Sequence, residues 1–343
     1  MQANSGRDFW RDSPLAYHGG GLAAARRLFP AAPEPWLDLS TGINPRPYPV
    51  RNLSESVFWR LPEAEEISAL EAEAGRFFGL GAGAQAVAAP GTQALIQLLP
   101  RLLPARRVAI LDFTYAEHGR AWTASGAEVF RARTLDELVG ADVAVVVNPN
   151  NPDGRLCTPA DLTALAARMA AHGGVLVVDE AFADFTPRAQ NVAPLPPAPG
   201  LVVLRSFGKT FGLAGLRLGF LLADADFAQK ARTALGPWAV SGAAVALGRQ
   251  AYADADWLAQ SAARLRENGA RLDAVLRDAG FEILGGTLLF RLARHADAGA
   301  VFGRLCAAGV LTRPFAEHPG WLRFGIPGDE ADLARLARAL ADG

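Results

Sequence analysis

LVVLRSFGKTFGLAGLRLGFLL, residues 201–222, is the stretch whose reading decides the fold. An apolar run, Leu201–Leu204, leads through Ser206 and Lys209 into a glycine-rich turn and on to Arg217. A lysine just beyond a buried strand, hemmed in by small and apolar side chains, is poorly solvated. Desolvation disfavours an ammonium, and a neutral amine is the form that attacks a carbonyl to make a Schiff base. Ser206 and Arg217 are residue types that grip a phosphate, one by hydroxyl and one by a fixed fork of donors. Gly208-Lys209-Thr210 looks like the tail of a nucleotide-binding G-x-x-x-x-G-K-[ST] loop, but that motif needs a glycine where Val203 stands. The plainer alternative, a surface lysine on a glycine-rich turn, loses ground as the flanking chain is added.

The chain has 343 residues, enough for a sizeable core and more than one domain. Half of them are hydrophobic and a fifth charged, the balance of a globular enzyme. A formal net charge of −1 gives no field that would draw the protein to nucleic acid or an anionic membrane. Cys157 and Cys306 are too few for a disulfide framework, which suits a reducing compartment. The opening MQANSGRDFWRD has no apolar core and reads as no signal peptide. The longest apolar run, around Ala141–Val147, suits a buried strand rather than a membrane span. These features together predict a cytoplasmic protein. The histidines are scattered and no metal-binding spacing occurs.

Outward from residues 201–222, strands and helices alternate. Arg107–Leu111, Ala141–Val147, Val175–Val178 and Leu201–Leu204 read as strands, separated by helices from about Ala116 and over Pro159–His172. Upstream, Glu63–Phe78 and a segment from Pro90 to Leu103 read as helices. Apolar runs without alternation, spaced by helices, predict a mainly parallel sheet covered on both faces, an α/β three-layer domain. Ligands bind outside the carboxyl ends of such strands. Tyr115, Asn151, Asp179, Ser206 and Lys209 all fall there, and Gly91-Thr92 offers an anion site at a helix start. After Leu222 come a helix at about Asp226–Leu235 and a long one from Ala243 to Gly280, broken or bent near Asp254. Short strands and helices to Ala341 then predict a smaller α+β domain. The predicted division is an N-terminal arm over 1–50 joining the small domain, a large domain over 51–235, and a small C-terminal domain over 236–343. His18-Gly19-Gly20-Gly21 and Asp38–Pro45, which contains Ile43 and Asn44, read as loops that bring backbone close to a ligand.

A cofactor with a phosphate, an aromatic ring, a basic ring nitrogen and an aldehyde would use these residues at once. That cofactor is pyridoxal phosphate. Lys209 would take the aldehyde and Asp179 would keep the ring nitrogen protonated. Tyr115 would stack on the ring, Asn151 would donate to its O3′, and Thr92, Ser206 and Arg217 would hold the phosphate.

Asn151-Pro152-Asp153-Gly154, Asp179-Glu180-Ala181-Phe182 and Ser206-x-x-Lys209-x7-Arg217 resemble the signatures of fold-type I pyridoxal-phosphate enzymes, the aspartate aminotransferase superfamily. Lys209–Arg217 is especially similar to the histidinol-phosphate aminotransferase branch. Within it, His18-Gly-Gly, the Asp38–Pro45 loop and Asp179–Phe185 look most like the threonine-phosphate decarboxylases, which make aminopropanol phosphate for cobalamin assembly. The resemblance implies a homodimer acting on a phosphorylated amino acid. It also matches Arg323 to the arginine that clamps the substrate carboxylate, and Arg313 to a position that binds the substrate phosphate. His18, Ile43 and Asn44 join them as expected substrate contacts, and catalysis is expected from Lys209, Asp179 and Tyr115. Two positions depart from the pattern. Phe182 stands where many relatives carry a tyrosine that bonds O3′, and Leu61-Pro62 replaces a Tyr-Pro that reaches the partner's cofactor phosphate. Decarboxylation and transamination differ in which Cα bond stands perpendicular to the ring, which residue types do not reveal. Histidinol-phosphate or another aminotransferase is therefore the alternative to a decarboxylase. A DNA-binding regulator that kept the fold would need a further domain for which no sequence remains.

Overall fold

A computed structural model of the chain describes residues 13–194 and 200–341. The opening segment 1–12, expected from sequence not to be a signal peptide, lies outside the described residues. Strands run in chain order as β1 Leu37–Asp38, β2 Ala84–Ala89, β3 Arg107–Leu111, β4 Glu128–Ala132, β5 Val143–Val147, β6 Val175–Asp179 and β7 Leu201–Ser206. They continue as β8 Gly219–Asp224, β9 Glu282–Thr287, β10 Phe290–Arg294, β11 Val310–Leu311, β12 Arg313–Pro314 and β13 Trp321–Gly325.

Seven of these strands form one sheet in the order β2-β8-β7-β6-β5-β3-β4. Strands β3 to β7 pair in parallel, while β8 runs antiparallel to both its neighbours, β2 and β7. The sheet is thus mainly parallel, as the unalternating runs predict. Strands β2 and β4 went unread because alanines and a split charge pattern blunt their signal, and β8 because it follows directly on the glycine-rich turn. Side chains alternate across a strand, and here both faces are apolar. Ala109, Val146, Val178 and Val203 pack into one core, with the helices Ala64–Phe78, Pro159–Ala170 and Gly242–Ala253. Their neighbours Ile110, Val145, Val177 and Val202 pack into a second core, with the helices Thr92–Leu102, Ala116–Ala124 and Ala225–Leu235. Covering both faces is what lets β5 read VAVVV with every residue buried.

The chain divides into two compact units. One takes Pro47–Asn151 and Arg155–Leu258; the other takes the described residues up to Arg46, Pro152–Gly154 and those from Ala259 onward. The helix Gly242–Ala253, expected from sequence in the small domain, buries Ala244, Val245, Ala251 and Tyr252 in the core beneath the large sheet. The break therefore falls after Leu258 and not at 235/236. The helical stretch expected over Ala243–Gly280 is broken at Asp254, one of the two forms expected there, into the helices Gly242–Ala253 and Ala255–Asp278. In the second unit a four-stranded sheet runs β12-β13-β10-β9, and β1 pairs in parallel with β11. The short segment from Val310 to Pro314 serves both sheets, with β11 in one and β12 in the other.

Candidate active site

Strand parity places the first group. Asp179 ends β6 on the same face as Val177, and Ser206 ends β7 on the same face as Val202 and Leu204. Both are terminal strand residues, buried on the side occupied by the helices Thr92–Leu102 and Ala116–Ala124. Asp179 is fixed from two directions. Its Oδ1 accepts the Ala181 N–H at 3.0 Å, and its Oδ2 meets His118 Nε2 at 2.9 Å. With Asp179 as a carboxylate, which only accepts, the hydrogen of this bond belongs to His118 Nε2. His118 is fully buried, and its Nδ1 has no hydrogen-bond partner among the described residues.

The sequence reading passed over His118. The available signal was its spacing, three residues after Tyr115, which puts both on one helix face. The two rings meet edge to face at 6.2 Å. The Tyr115 hydroxyl donates to Gln93 Oε1 at 3.0 Å, and Gln93 Nε2 donates to Glu117 at 3.1 Å. Gln93, also unread, thereby ties Tyr115 to the start of the helix Thr92–Leu102. Asn151 is buried after β5; its neighbour Asn150 anchors the loop before Tyr115, donating to the Phe113 carbonyl at 3.1 Å and accepting from Thr114 Oγ1 at 2.6 Å.

A second cluster lies at the helix start. Gly91 is the N-cap and Thr92 the first residue of the helix. Gly91 has φ +85°, and a Cβ there would stand 2.5 Å from Arg217 Nη2. Only glycine lets this guanidinium come so close to the helix start. Arg217 itself adopts φ +56°, a left-handed conformation that arginine rarely takes and that points to a functional constraint. Gly219 sits between Ser206 and Ala89 in register, and a Cβ there would come within 2.8 Å of the Thr92 nitrogen. Backbone N–H groups at a helix start, a hydroxyl and a guanidinium are the donor set a phosphate dianion requires. The residues present therefore fit the phosphate end of pyridoxal phosphate. Lys209 lies in the short helix Phe207–Thr210 directly after β7, with its Nζ 5.6 Å from the centre of the buried Phe182 ring.

The other unit holds the remaining expected residues. Arg313 on β12 stands directly opposite Arg323 on β13 in the antiparallel register. Directly opposite positions bring the two Cβ atoms to about 5 Å and both side chains to one face of the sheet. Arg323 is buried and donates through Nη2 to the Ser40 carbonyl at 2.9 Å; Arg313 donates to the Tyr17 carbonyl at 3.2 Å. Ser40 also accepts the Gly20 N–H at 2.7 Å, so the loop around His18 and the arginine pair share one support. His18 is exposed and Ile43 half-buried. The Asn44 amide donates to Ser261 at 2.7 Å and accepts from the Arg46 N–H at 3.1 Å, bonds that hold its loop in place.

A search of known proteins places this arrangement. The family model for aminotransferase class I and II matches residues 51–340. The chain is 45% identical over 326 residues to a threonine-phosphate decarboxylase of Sinorhizobium, covering 94% of this chain and 97% of that protein. A threonine-phosphate decarboxylase of Pseudomonas aeruginosa is 42% identical over 326 residues, with 94% and 96% covered. Among solved structures, histidinol-phosphate aminotransferase from Sinorhizobium meliloti, in complex with pyridoxal-5'-phosphate, superposes with a TM-score of 0.78 at 22% identity, over 97% of each chain. By a family match spanning most of its length, and by a fold and residue pattern that agree with it, this chain belongs to the class I and II aminotransferase family.

Proposed function

We propose that the chain is a pyridoxal-phosphate-dependent decarboxylase of L-threonine O-3-phosphate. The product is (R)-1-aminopropan-2-yl phosphate, a precursor for cobalamin assembly. The observation that carries this reading is the cross-strand pair Arg313–Arg323, two arginines at facing register positions of β12 and β13, the residue type that a ligand with two anionic groups requires. Two relatives above 40% identity that bear the name of this activity support it.

Lys209 holds the cofactor through its ε-amine. Asp179, steadied by His118 and the Ala181 N–H, accepts the hydrogen of the protonated ring nitrogen. Tyr115 would pack against the cofactor ring and Asn151 would hold its phenolic oxygen, to which Phe182 has no hydroxyl to add. Gly91, Thr92, Ser206 and Arg217 bind the cofactor phosphate. When bound, pyridoxal phosphate supplies an electron sink for the pair left at Cα as the carboxylate departs as carbon dioxide. Arg323, buried and fixed by Ser40, grips the substrate carboxylate and sets the direction of the bond to be broken. Arg313, less buried, takes the substrate phosphate, with His18, Ile43 and Asn44 completing that end. A proton replaces the carboxylate at Cα, which balances the reaction without an oxidant or reductant.

The test is purified protein with O-phosphothreonine, followed for carbon dioxide and for keto acid. Stoichiometric carbon dioxide supports the reading. Keto acid formed with 2-oxoglutarate, without carbon dioxide, would make the protein an aminotransferase instead.

The working form is a homodimer in the cytoplasm. Val50, Phe58, Trp59 and Leu61, all more than half exposed, lie in one short segment that a second copy would cover. Among the described residues no helix is long and apolar enough to cross a membrane. Sedimentation at micromolar concentration checks the dimer; a fully active monomer would remove it.

A further inference from the structure

The carboxyl edge of the large sheet has a second, buried polar assembly on the face opposite Asp179. Parity turns Glu180 and Arg205 toward the core that holds Val178 and Val203. There Arg205 Nη1 donates to Glu180 Oε2 at 2.7 Å, and its Nη2 donates to Asp184 Oδ1. Asp184 Oδ2 accepts from the Thr210 hydroxyl at 2.6 Å. Glu180 Oε1 accepts the Val192 N–H at 2.6 Å, closing the other end. The side chains of Glu180, Asp184 and Arg205 are each at most 2% exposed, and the guanidinium lies 4.6 Å over the Phe78 ring.

Two carboxylates and one guanidinium in a dry core are a poor way to gain stability, because desolvation offsets most of their attraction. Their use is geometric. Glu180 is the residue after Asp179, and Thr210 is the residue after Lys209. The chain Glu180–Arg205–Asp184–Thr210 therefore joins the immediate neighbours of the two side chains that hold opposite ends of the cofactor. The segment Glu180–Asp184 also presents Phe182 to the Lys209 ammonium. On the helix itself Phe207 and Phe211 are fully buried and stack at 4.5 Å, anchoring the turn on either side of Lys209. Their packing sets the depth of the turn, and the Thr210 bond sets its rotation.

We infer that Thr210, Asp184, Arg205 and Glu180 form a brace that fixes Lys209 relative to Asp179, with Thr210 and Asp184 as positioning residues. This rests on the reading of Lys209 as the cofactor lysine. A reactive group displaced by about 1 Å can lose about a hundredfold in rate, so a brace at this point affects chemistry before it affects folding.

Thr210→Val removes the hydroxyl while keeping the shape, and Thr210→Ser restores the donor. Each holoenzyme is measured for kcat and KM with O-phosphothreonine, and for the circular dichroism of the bound cofactor's absorption band. The apo-proteins are compared by thermal midpoint, and borohydride reduction of the wild type followed by peptide mapping locates the labelled lysine. The expected result for Thr210→Val is a kcat lower by about 10- to 100-fold with KM changed far less. Its cofactor dichroism is weakened and its apo midpoint close to wild type, and Thr210→Ser recovers both signals. With Lys209 labelled, an unchanged kcat and dichroism in Thr210→Val overturn the brace alone. So do losses that follow the thermal midpoint equally in both variants. A label on another lysine overturns the functional reading and the brace with it.

Discussion

Gly91→Ala tests the phosphate cradle by adding a single methyl group. The new Cβ would lie 2.5 Å from Arg217 Nη2 and 3.0 Å from Cζ. Non-bonded carbon contacts are optimal at about 3.5 Å or more, so the guanidinium must retreat by about 1 Å. Arg217 is long enough to do so without disturbing the sheet, and the steric cost therefore falls on binding. Hydrogen bonds to charged groups contribute about 1.5–3 kcal/mol, so losing this one should weaken cofactor binding by about 10- to 100-fold. A separate cost falls on folding, because alanine at φ +85° is in the left-handed region. With ψ at 160°, a region that essentially only glycine takes, that cost is about 1–3 kcal/mol, lowering the apo-protein's thermal midpoint by about 1–4 °C for a chain of this length. Fluorescence titration with pyridoxal phosphate and melting of the apo-protein separate the two effects. Wild-type affinity in a variant with a lowered midpoint would refute Arg217 as a phosphate ligand. Weakened binding matched by Arg217→Lys, which keeps charge but loses the fork, would support it.

Asp179→Asn should still bind cofactor but lose turnover by about a hundredfold or more, since an amide cannot hold the protonated ring nitrogen; near-normal kcat would show that the electron sink does not depend on this carboxylate. Arg323→Lys should lower kcat for O-phosphothreonine more than it raises KM, whereas a change confined to KM would mean binding without orientation. Arg313→Ala should reduce the preference for O-phosphothreonine over threonine by about 10- to 100-fold, and an unchanged ratio of kcat/KM values would move the phosphate site elsewhere. Asp142 accepts the N–H groups of Arg107 at 2.9 Å and Arg106 at 2.7 Å, and these bonds hold its carboxyl below the usual carboxylate range. A depressed folded pKa contributes stability above the unfolded value of about 3.9 and loses it as pH falls through the folded value. Asp142→Asn should thus melt lower than wild type near neutrality, by under about 1 kcal/mol for so exposed a group, with the gap closing in acid. A gap that persists at the lowest pH would assign the effect to geometry and not to charge.

The positions of the candidate cofactor residues were legible in the linear chain because each sits at or just after a strand end. Runs such as Val143–Val147 announce a strand covered on both faces, and a parallel sheet gathers the residues beyond its strand ends at one edge. That is why Tyr115, Asn151, Asp179, Ser206 and Lys209 could be named together, and why Gly91-Thr92 read as an anion site. Alanine-rich β2 and the charged-ended β4 carried too little hydrophobic contrast to be read. Residues that act across the fold were out of reach. His118 meets Asp179 from 61 positions away, and Arg205 meets Asp184 from 21 positions away on a different strand connection. Arg313 and Arg323 were named separately by resemblance, but their facing each other depends on the register of β12 against β13. The break after Leu258 likewise depends on which core the helix Gly242–Ala253 enters, a choice its all-round apolar surface leaves open. Local pattern determines which residues stand at strand ends. Only the packed tertiary structure decides which distant side chain then holds each one in place, because a single long-range bond leaves no period in the sequence.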